Sequence, residues 1–447
     1  MKDLTKGYPA KVIIMFALPL MFGNIFQQFY NMADSKIVST YVGTGALAAV
    51  GATAVITNTL IAFINGSTQG YSILIANSFG AKDMKRMRQF VAGTMVMTAC
   101  ITIILTLVGV LFIESILGLL NTPAEIMADA TSYVKIVLIG IVFTSLYNMC
   151  ANILRAVGDS KTPLYCLLIA VVANIVLDLL FVCGFSWGIE GAAIATVIAQ
   201  AISGFLCGFI IIKKFREVLP TKEDWKPEPG QYANLIWTGL SMALMGCIVN
   251  IGTITLQGAI NGLGTDIVAA HTAGRRVFDI LGVALFTVGM TMTTFASQNM
   301  GAGLPKRVRQ GVRHANLMVT GLTVVIQIIW LLFGEAVLHW ITGSENQAIL
   351  DSAKMYMNIM IWFMYVLGPL FVLRCTLQGL GRKIIPLVSS FVELVIKVSS
   401  AKLLVPVFGY VGVAFTEPIS WIVMIIPLIV AYLVKTPEKM LEGTGNP

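Results

Sequence analysis

Apolar residues run along this chain in stretches far longer than the core-facing stripe of a soluble helix, and polar clusters interrupt them at regular intervals. A hydrocarbon layer of roughly 30 Å needs about 20 helical residues to cross it, and runs of that length recur from end to end. The pattern predicts twelve membrane-spanning helices, at 12–38, 46–76, 90–113, 132–153, 163–184, 191–213, 234–260, 266–297, 313–335, 353–376, 386–407 and 412–434. Membrane β-barrels alternate polarity in segments of about ten residues, and that alternation is missing here. The first run carries no small-residue cleavage site and continues through polar residues into Asp34, so it is expected to stay as a helix. Pro19 removes one backbone hydrogen bond inside it and predicts a bend.

Composition agrees with immersion in lipid. Of the 447 residues, 57% are hydrophobic and 12% charged, where a soluble domain carries roughly 25% charged residues. The net charge of +8 would suit a nucleic-acid partner, but the position of the charges excludes that reading. Basic residues gather in alternate connections: Lys2, Lys6 and Lys11; Lys82, Lys85, Arg86 and Arg88; Arg155 and Lys161; Lys213, Lys214, Arg216, Lys222 and Lys226; Lys306, Arg307, Arg309 and Arg313; Arg382 and Lys383; Lys435 and Lys439. The intervening connections hold Glu114, Glu125, Asp129, Glu190, Asp266 and Glu345 instead. By the positive-inside rule both termini and the central linker face the cytoplasm, and termini on one side independently support an even number of spans. The seven cysteines lie in or beside apolar runs without metal-ligand spacing and are expected to be small buried hydrophobes, so no metal or other cofactor is expected.

The second half of the chain repeats the first at a nearly constant offset. Residues 77–89 align with 298–310, sharing Gly-Ala and Lys-Arg; Leu154-Arg-Ala-Val-Gly158 aligns with Leu377-Gln-Gly-Leu-Gly381; Gly188-Ile-Glu-Gly191 aligns with Gly409-Tyr-Val-Gly412. Three matches in register predict an all-α protein of two parallel six-helix repeats. The expected lobes are 1–213 and 234–447, joined by a linker at 214–233. Parallel repeats are a transporter design with the substrate path at their interface. No Gly-Lys-Ser/Thr phosphate loop is present, so direct ATP drive and an enzymatic role are not expected.

Polar side chains inside a membrane are costly and mark pathways or binding sites. Span 1 places Asn24, Gln27, Asn31 and Asp34 on one helical face beside Tyr30; span 2 offers Asn58, Asn65, Gln69 and Ser72; span 5 carries Asn174 and Asp178 one turn apart; span 6 adds Thr196 and Gln200. Hydrogen bonding between helices explains the amides equally well. The carboxyls are better candidates for proton or cation binding, because low dielectric favours the neutral, protonated form. In the second half, span 7 supplies amides only, Asn250, Gln257 and Asn261. Span 8 has Arg275, Arg276 and Asp279, and span 11 has Glu393 and Lys397; spacing by four allows Arg275–Asp279 and Glu393–Lys397 to pair locally. Glu417 in span 12 has no partner at such spacing, and these six residues form a candidate polar site of the second half.

Taken together, the twelve spans, the doubled Gly-Ala loops, Asn174-Ile-Val-Leu-Asp178, Gly188-Ile-Glu-Gly-Ala-Ala-Ile-Ala-Thr196 and Gln298-Asn-Met-Gly-Ala302 resemble the multidrug and toxic compound extrusion (MATE) family over essentially the whole chain. The resemblance implies a V-shaped pair of lobes in the bacterial inner membrane, exporting cationic or amphipathic compounds by antiport with H⁺ or Na⁺, with membrane lipids around a monomer. It also implies that Asp34, Asn174, Asp178 and Thr196 occupy the cation-site positions of the DinF-like branch. The NorM-like branch uses acids in spans 7 and 10; here span 7 has none and span 10 only Asp351 ahead of it, which favours a proton site in the first half. The alternative reading is a lipid-linked saccharide flippase of the same superfamily, whose anionic cargo would call on Arg275 and Arg276.

Overall fold

The structure is a computed structural model that describes residues 3–119, 122–226, 228–342 and 346–442, apart from the side chains of residues 31–33, 35, 36, 39, 44, 46, 47 and 342. The Asn31 side chain, Lys2 and Glu345 therefore lie outside the described residues. The chain folds into α1 (Pro9–Tyr41), α2 (Thr44–Gly80), α3 (Met84–Leu119), α4 (Ala124–Ala156), α5 (Lys161–Asp178), α6 (Gly188–Lys214), α7 (Gln231–Asn261), α8 (Thr265–Gly301), α9 (Pro305–Thr342), α10 (Gln347–Gly379), α11 (Ile384–Leu403), α12 (Val405–Val434) and α13 (Pro437–Glu442). Twelve of these are long and apolar enough to cross a membrane, and no strand occurs among the described residues.

The expected spans fall on successive helices, except that 386–407 runs past the end of α11 into the first residues of α12, and the helices run past the apolar windows. The clearest case is α9, expected at 313–335 and found at Pro305–Thr342. The reason is physical: hydropathy marks only the lipid-immersed part, while Lys306, Arg307 and Arg309 are good helix formers that extend the rod into water. The α11–α12 junction also differs in detail. The expected break at 408–411 is a single residue, Gly409, with φ +56° inside α12.

Two compact units result. One contains Leu18–Ala243 with Met1–Asp3; the other contains Leu4–Ala17 and Leu244–Pro447. The division of α1 falls beside Pro19, where the backbone hydrogen-bond ladder is interrupted. In the first unit, Tyr71, Met87, Phe90, Leu154 and Cys207 pack into one apolar cluster, and Ile113, Leu117, Val134 and Leu138 into another.

The repeat reappears as geometry. Gly188 and Gly409, matched in the sequence repeat, both adopt positive φ, at +59° and +56°. Three positions further on, Gly191 and Gly412 both admit close neighbours: an added Cβ would lie 3.1 Å from the Phe181 Cβ and 2.6 Å from the Leu404 carbonyl oxygen, respectively. A surface ion pair recurs as well, between Lys135 and Glu114 on α4 and α3, and between Lys354 and Glu335 on α10 and α9. Even the matched loop motifs do equivalent work. At the start of α3, Arg88 bonds the linker's Asp224 at 2.8 Å, and the Gln89 amide reaches the Lys226 carbonyl at 3.4 Å. At the start of α9, Arg307 donates to the carbonyls of Leu4 and Lys6 at 3.3 and 3.0 Å, while Gln298 accepts from the Leu4 amide at 3.0 Å. Each loop thus holds a segment of chain from outside its own helices.

Candidate cation and substrate sites

In the first unit, α1, α4, α5 and α6 converge on a pair of carboxyls. Asp178 ends α5 and is fully buried, and Asn174 one turn earlier is 1% exposed. Directly after Asp178 the helix widens into a π-helical turn at Leu179–Gly184, a distortion common where a helix re-aims a functional side chain. With its amide oriented to suit its neighbours, Asn174 donates through Nδ2 to Asp178 Oδ2 at 2.8 Å, and its Oδ1 accepts from the Thr196 N–H at 3.2 Å. The Tyr30 hydroxyl and Thr196 Oγ1 stand 3.4 Å apart. Asp34, half-buried on α1, lies within hydrogen-bonding reach of the Asp178 carboxyl.

This contact has a chemical consequence. Two carboxylates are acceptors only, so they approach each other with a shared proton or with a cation between them. Asp34 Oδ1 and Asp178 Oδ1 are buried and receive no hydrogen bond from a donor among the described residues. The phenols of Tyr30 and Tyr133 flank both acids. Asp34, Asn174, Asp178, Thr196 and Tyr30, all candidates from sequence, therefore come together in one cluster.

The other first-half candidates do not join it among the described contacts. Gln27 is exposed on α1, Asn58 and Asn65 are exposed on α2, and Gln69 is half-buried there. Gln200 is half-buried on α6 with Oε1 unpartnered among the described residues. A polar chain that the sequence did not suggest lies towards the other end of α4 from Tyr133: Arg155 donates to Asn152 at 3.3 Å, and Asn152 to the Thr68 hydroxyl at 2.9 Å.

In the second unit, the expected local pairs form and are tied together. Arg275 Nε meets Asp279 Oδ1 at 2.9 Å and Lys397 Nζ meets Glu393 Oε1 at 2.9 Å. Glu417, which had no partner in sequence, lies between them, 2.6 Å from Arg275 Nη1 and 3.6 Å from Lys397 Nζ. Lys397 also reaches the Thr253 hydroxyl at 3.3 Å. Arg374 binds the Ser390 hydroxyl and sits in the field of Glu393. Around this network pack His271, Tyr356 and Tyr410, with the His271 Nδ1 and the Tyr410 hydroxyl 3.4 Å apart. Arg276, by contrast, is exposed, and Asn250 and Gln257 are half-buried on α7, where Gln257 bonds Asn261 at 3.0 Å.

The two clusters are repeat counterparts. Thr196 is related to Glu417 by the offset that takes Gly188 to Gly409. Asn174 is related to Lys397, and Tyr133 to Tyr356, by the offset that takes Leu154 to Leu377. The first half carries an amide and a hydroxyl where the second carries an ammonium and a carboxylate, so the second cluster holds its own cations. Tyr133 was missed in sequence because a lone tyrosine at a span boundary reads as an interfacial anchor; its repeat mate Tyr356 was the available signal.

A protein of twelve apolar helices in two repeated halves, each with a buried polar cluster, has the architecture of a secondary transporter. The family model MatE matches residues 19–180 and again 241–403, once in each half and in the register of the repeat. The chain belongs to this family: it is a multi-pass membrane protein that transports small molecules and is not an enzyme. It is 28% identical over 394 residues to "Probable multidrug resistance protein YpnP" of Bacillus subtilis, covering 88% of this chain and 87% of that one. To "Probable multidrug resistance protein NorM" of Thermotoga maritima it is 24% identical, covering 86% and 83%. Among solved structures, the outward-facing conformation of a multidrug resistance MATE family transporter of the MOP superfamily matches with a TM-score of 0.90 at 23% identity, covering 97% and 98%.

Proposed function

We propose that this chain exports cationic or amphipathic compounds from the cell in exchange for protons that bind at Asp34 and Asp178. The observation that carries the reading is the contact between these two carboxyls, one fully buried and hydrogen-bonded by Asn174. Both relatives are probable multidrug resistance proteins, which supports drug export as the role.

The dyad couples two fluxes by competition. Open to the outside, it takes up a proton, loses negative charge and releases a cationic substrate. Open to the inside, it gives up the proton and regains its attraction for the next cation. Each elementary charge moving down a potential of about 100 mV supplies roughly 2.3 kcal/mol, about a fifty-fold concentration ratio. The charge pattern of the connections supports cytoplasmic termini, and the sequence repeat supports 1–213 and 234–447 as the lobes that alternate access. Protons are preferred to Na⁺ as the coupling ion because the described dyad is two carboxyls within hydrogen-bonding reach of each other, a spacing that one shared proton satisfies. The flippase alternative is disfavoured by the ion pairing of Arg275, which leaves the second cluster little net positive charge for an anionic cargo.

Efflux in a drug-sensitive bacterial strain tests the reading. Cells producing the wild type should retain several-fold less ethidium than cells with an empty vector, and Asp34→Asn and Asp178→Asn should each raise retention to the vector level at equal membrane abundance. Undiminished efflux in both variants would overturn it.

A further inference from the structure

We propose that the second unit carries a phospholipid site at the membrane–water boundary, a basic pocket between α9 and α13 that takes the phosphodiester of an anionic lipid. Lys306, Arg309 and Arg313 of α9 and Lys439 of α13 line a cavity of about 730 Å³, with Glu438 and Glu442 at its other wall. The pocket therefore holds four cations against two carboxylates. None of the four cations makes a salt bridge among the described residues. The Tyr432 hydroxyl, in the electrostatic field of Arg309 and Glu438, is buried without a hydrogen-bond partner among the described residues.

The repeat shows what such an arginine needs. Arg88 is the repeat counterpart of Arg309, at the same place in the matched loop motif. There the linker supplies an anion from the chain itself: Asp224, 2% exposed, at 2.8 Å from Arg88 Nε. Ala92 stands where Arg313 stands in the second half, so that the first half has one basic residue fewer on this face. The second half keeps the extra cation and lacks the internal carboxylate contact.

What continues below the pocket identifies the anion as a lipid. On α9, Lys306, Arg309 and Arg313 are followed at helical spacing by Leu317, Val324, Ile328 and Leu331, exposed by 63%, 41%, 51% and 76%. On α12, Ile426, Val430 and Leu433 are exposed by 54%, 53% and 64%, leading to the pocket's Thr436. A charged head site that passes directly into an outward-facing apolar surface matches an anionic headgroup with acyl chains, where a free phosphate would use the upper part alone. Met440 of α13 packs against the Ala296–Val308–Leu380 cluster, which fixes the lower wall in place.

Native mass spectrometry of the full-length, delipidated protein tests the proposal. Phosphatidylglycerol and phosphatidylcholine of matched chains are titrated separately, then phosphatidylglycerol is titrated in the presence of millimolar inorganic phosphate. The wild type should bind one phosphatidylglycerol at least about tenfold more tightly than phosphatidylcholine, and Lys306→Gln/Arg309→Gln/Arg313→Gln should remove that preference. Arg309→Gln alone should remove part of it, which keeps the test valid if the triple variant misfolds. Lys82→Gln/Lys85→Gln/Arg86→Gln, at the corresponding loop of the first half, should leave it intact. Equal binding of the two lipids, a preference that survives both α9 variants, or full competition by inorganic phosphate would each overturn the proposal, the last in favour of a free-phosphate site.

Discussion

Removing the bridging carboxylate by Glu417→Gln tests whether the second cluster is one network or two independent pairs. Glu417 is 6% exposed and touches Arg275 at 2.6 Å and Lys397 at 3.6 Å. At an effective dielectric of about 20, two contacts of that length amount to roughly 11 kcal/mol of gross attraction. Solvent reaches Arg275, which is about a third exposed, and desolvation of the carboxylate itself subtracts several kcal/mol more. The net loss expected is about 3–5 kcal/mol, since three cations, Arg275, Lys397 and Arg374, would then share Asp279 and Glu393. The repeat supplies the compensating variant. Lys397→Asn/Glu417→Thr installs the residues found at Asn174 and Thr196, removes one charge of each sign, and leaves Arg275 with Asp279 and Glu393 with Arg374. It should recover at least half of the loss, so that the coupling energy between the two positions is about 2 kcal/mol or more. Reversible unfolding in mixed micelles, followed for the wild type, Glu417→Gln, Lys397→Asn, Glu417→Thr and the double Lys397→Asn/Glu417→Thr, measures each value. A Glu417→Gln loss below about 1 kcal/mol, or strictly additive effects, would refute the network reading.

The linker and the α11–α12 corner are open to test as well. Burial pushes the Asp224 carboxyl up, but the Thr221 amide and hydroxyl at 2.8 and 2.7 Å and the Arg88 guanidinium outweigh it and hold the group below the usual carboxylate range. Its stabilising effect on the linker is therefore complete above an unfolded value of about 3.9 and disappears only as the pH falls through the lower folded value. Protease cutting of the 214–233 linker should stay slow down to about pH 4, and Asp224→Asn should make it fast at neutral pH. Gly412→Ala would place a Cβ 2.6 Å from the Leu404 carbonyl and should lower stability by about 1–3 kcal/mol, read from the thermal midpoint of the purified protein; no change would mean that the α11–α12 corner yields freely.

The twelve helices were legible because lipid imposes a single requirement, a long apolar run, that leaves little room for tertiary override. Helix ends were less so, as α9 shows, because water-exposed turns of Lys and Arg look like loops to a hydropathy pattern. Asp34 and Asp178 stood out because each is a carboxyl in an apolar helix, whereas Asn174 and Thr196 were joined to them through the family resemblance; the structure brings all four into one cluster. Glu417's partners were not legible: Arg275 is 142 residues away, and no spacing rule spans such a distance. Tyr133 was overlooked for a related reason, since an aromatic near a span boundary takes its meaning from what packs against it.

The central claim, that Asp34 and Asp178 hold the proton exchanged for substrate, is tested most directly by substrate-triggered proton movement in liposomes. Purified protein is reconstituted with a pH-sensitive dye inside, and ethidium is added to the wild type, Asp34→Asn and Asp178→Asn. Proton movement in the wild type that needs ethidium and vanishes in both variants, with no response to an imposed Na⁺ gradient, is the predicted result. Movement of equal size in the variants, or a wild type driven by Na⁺ and silent to pH, would contradict the account.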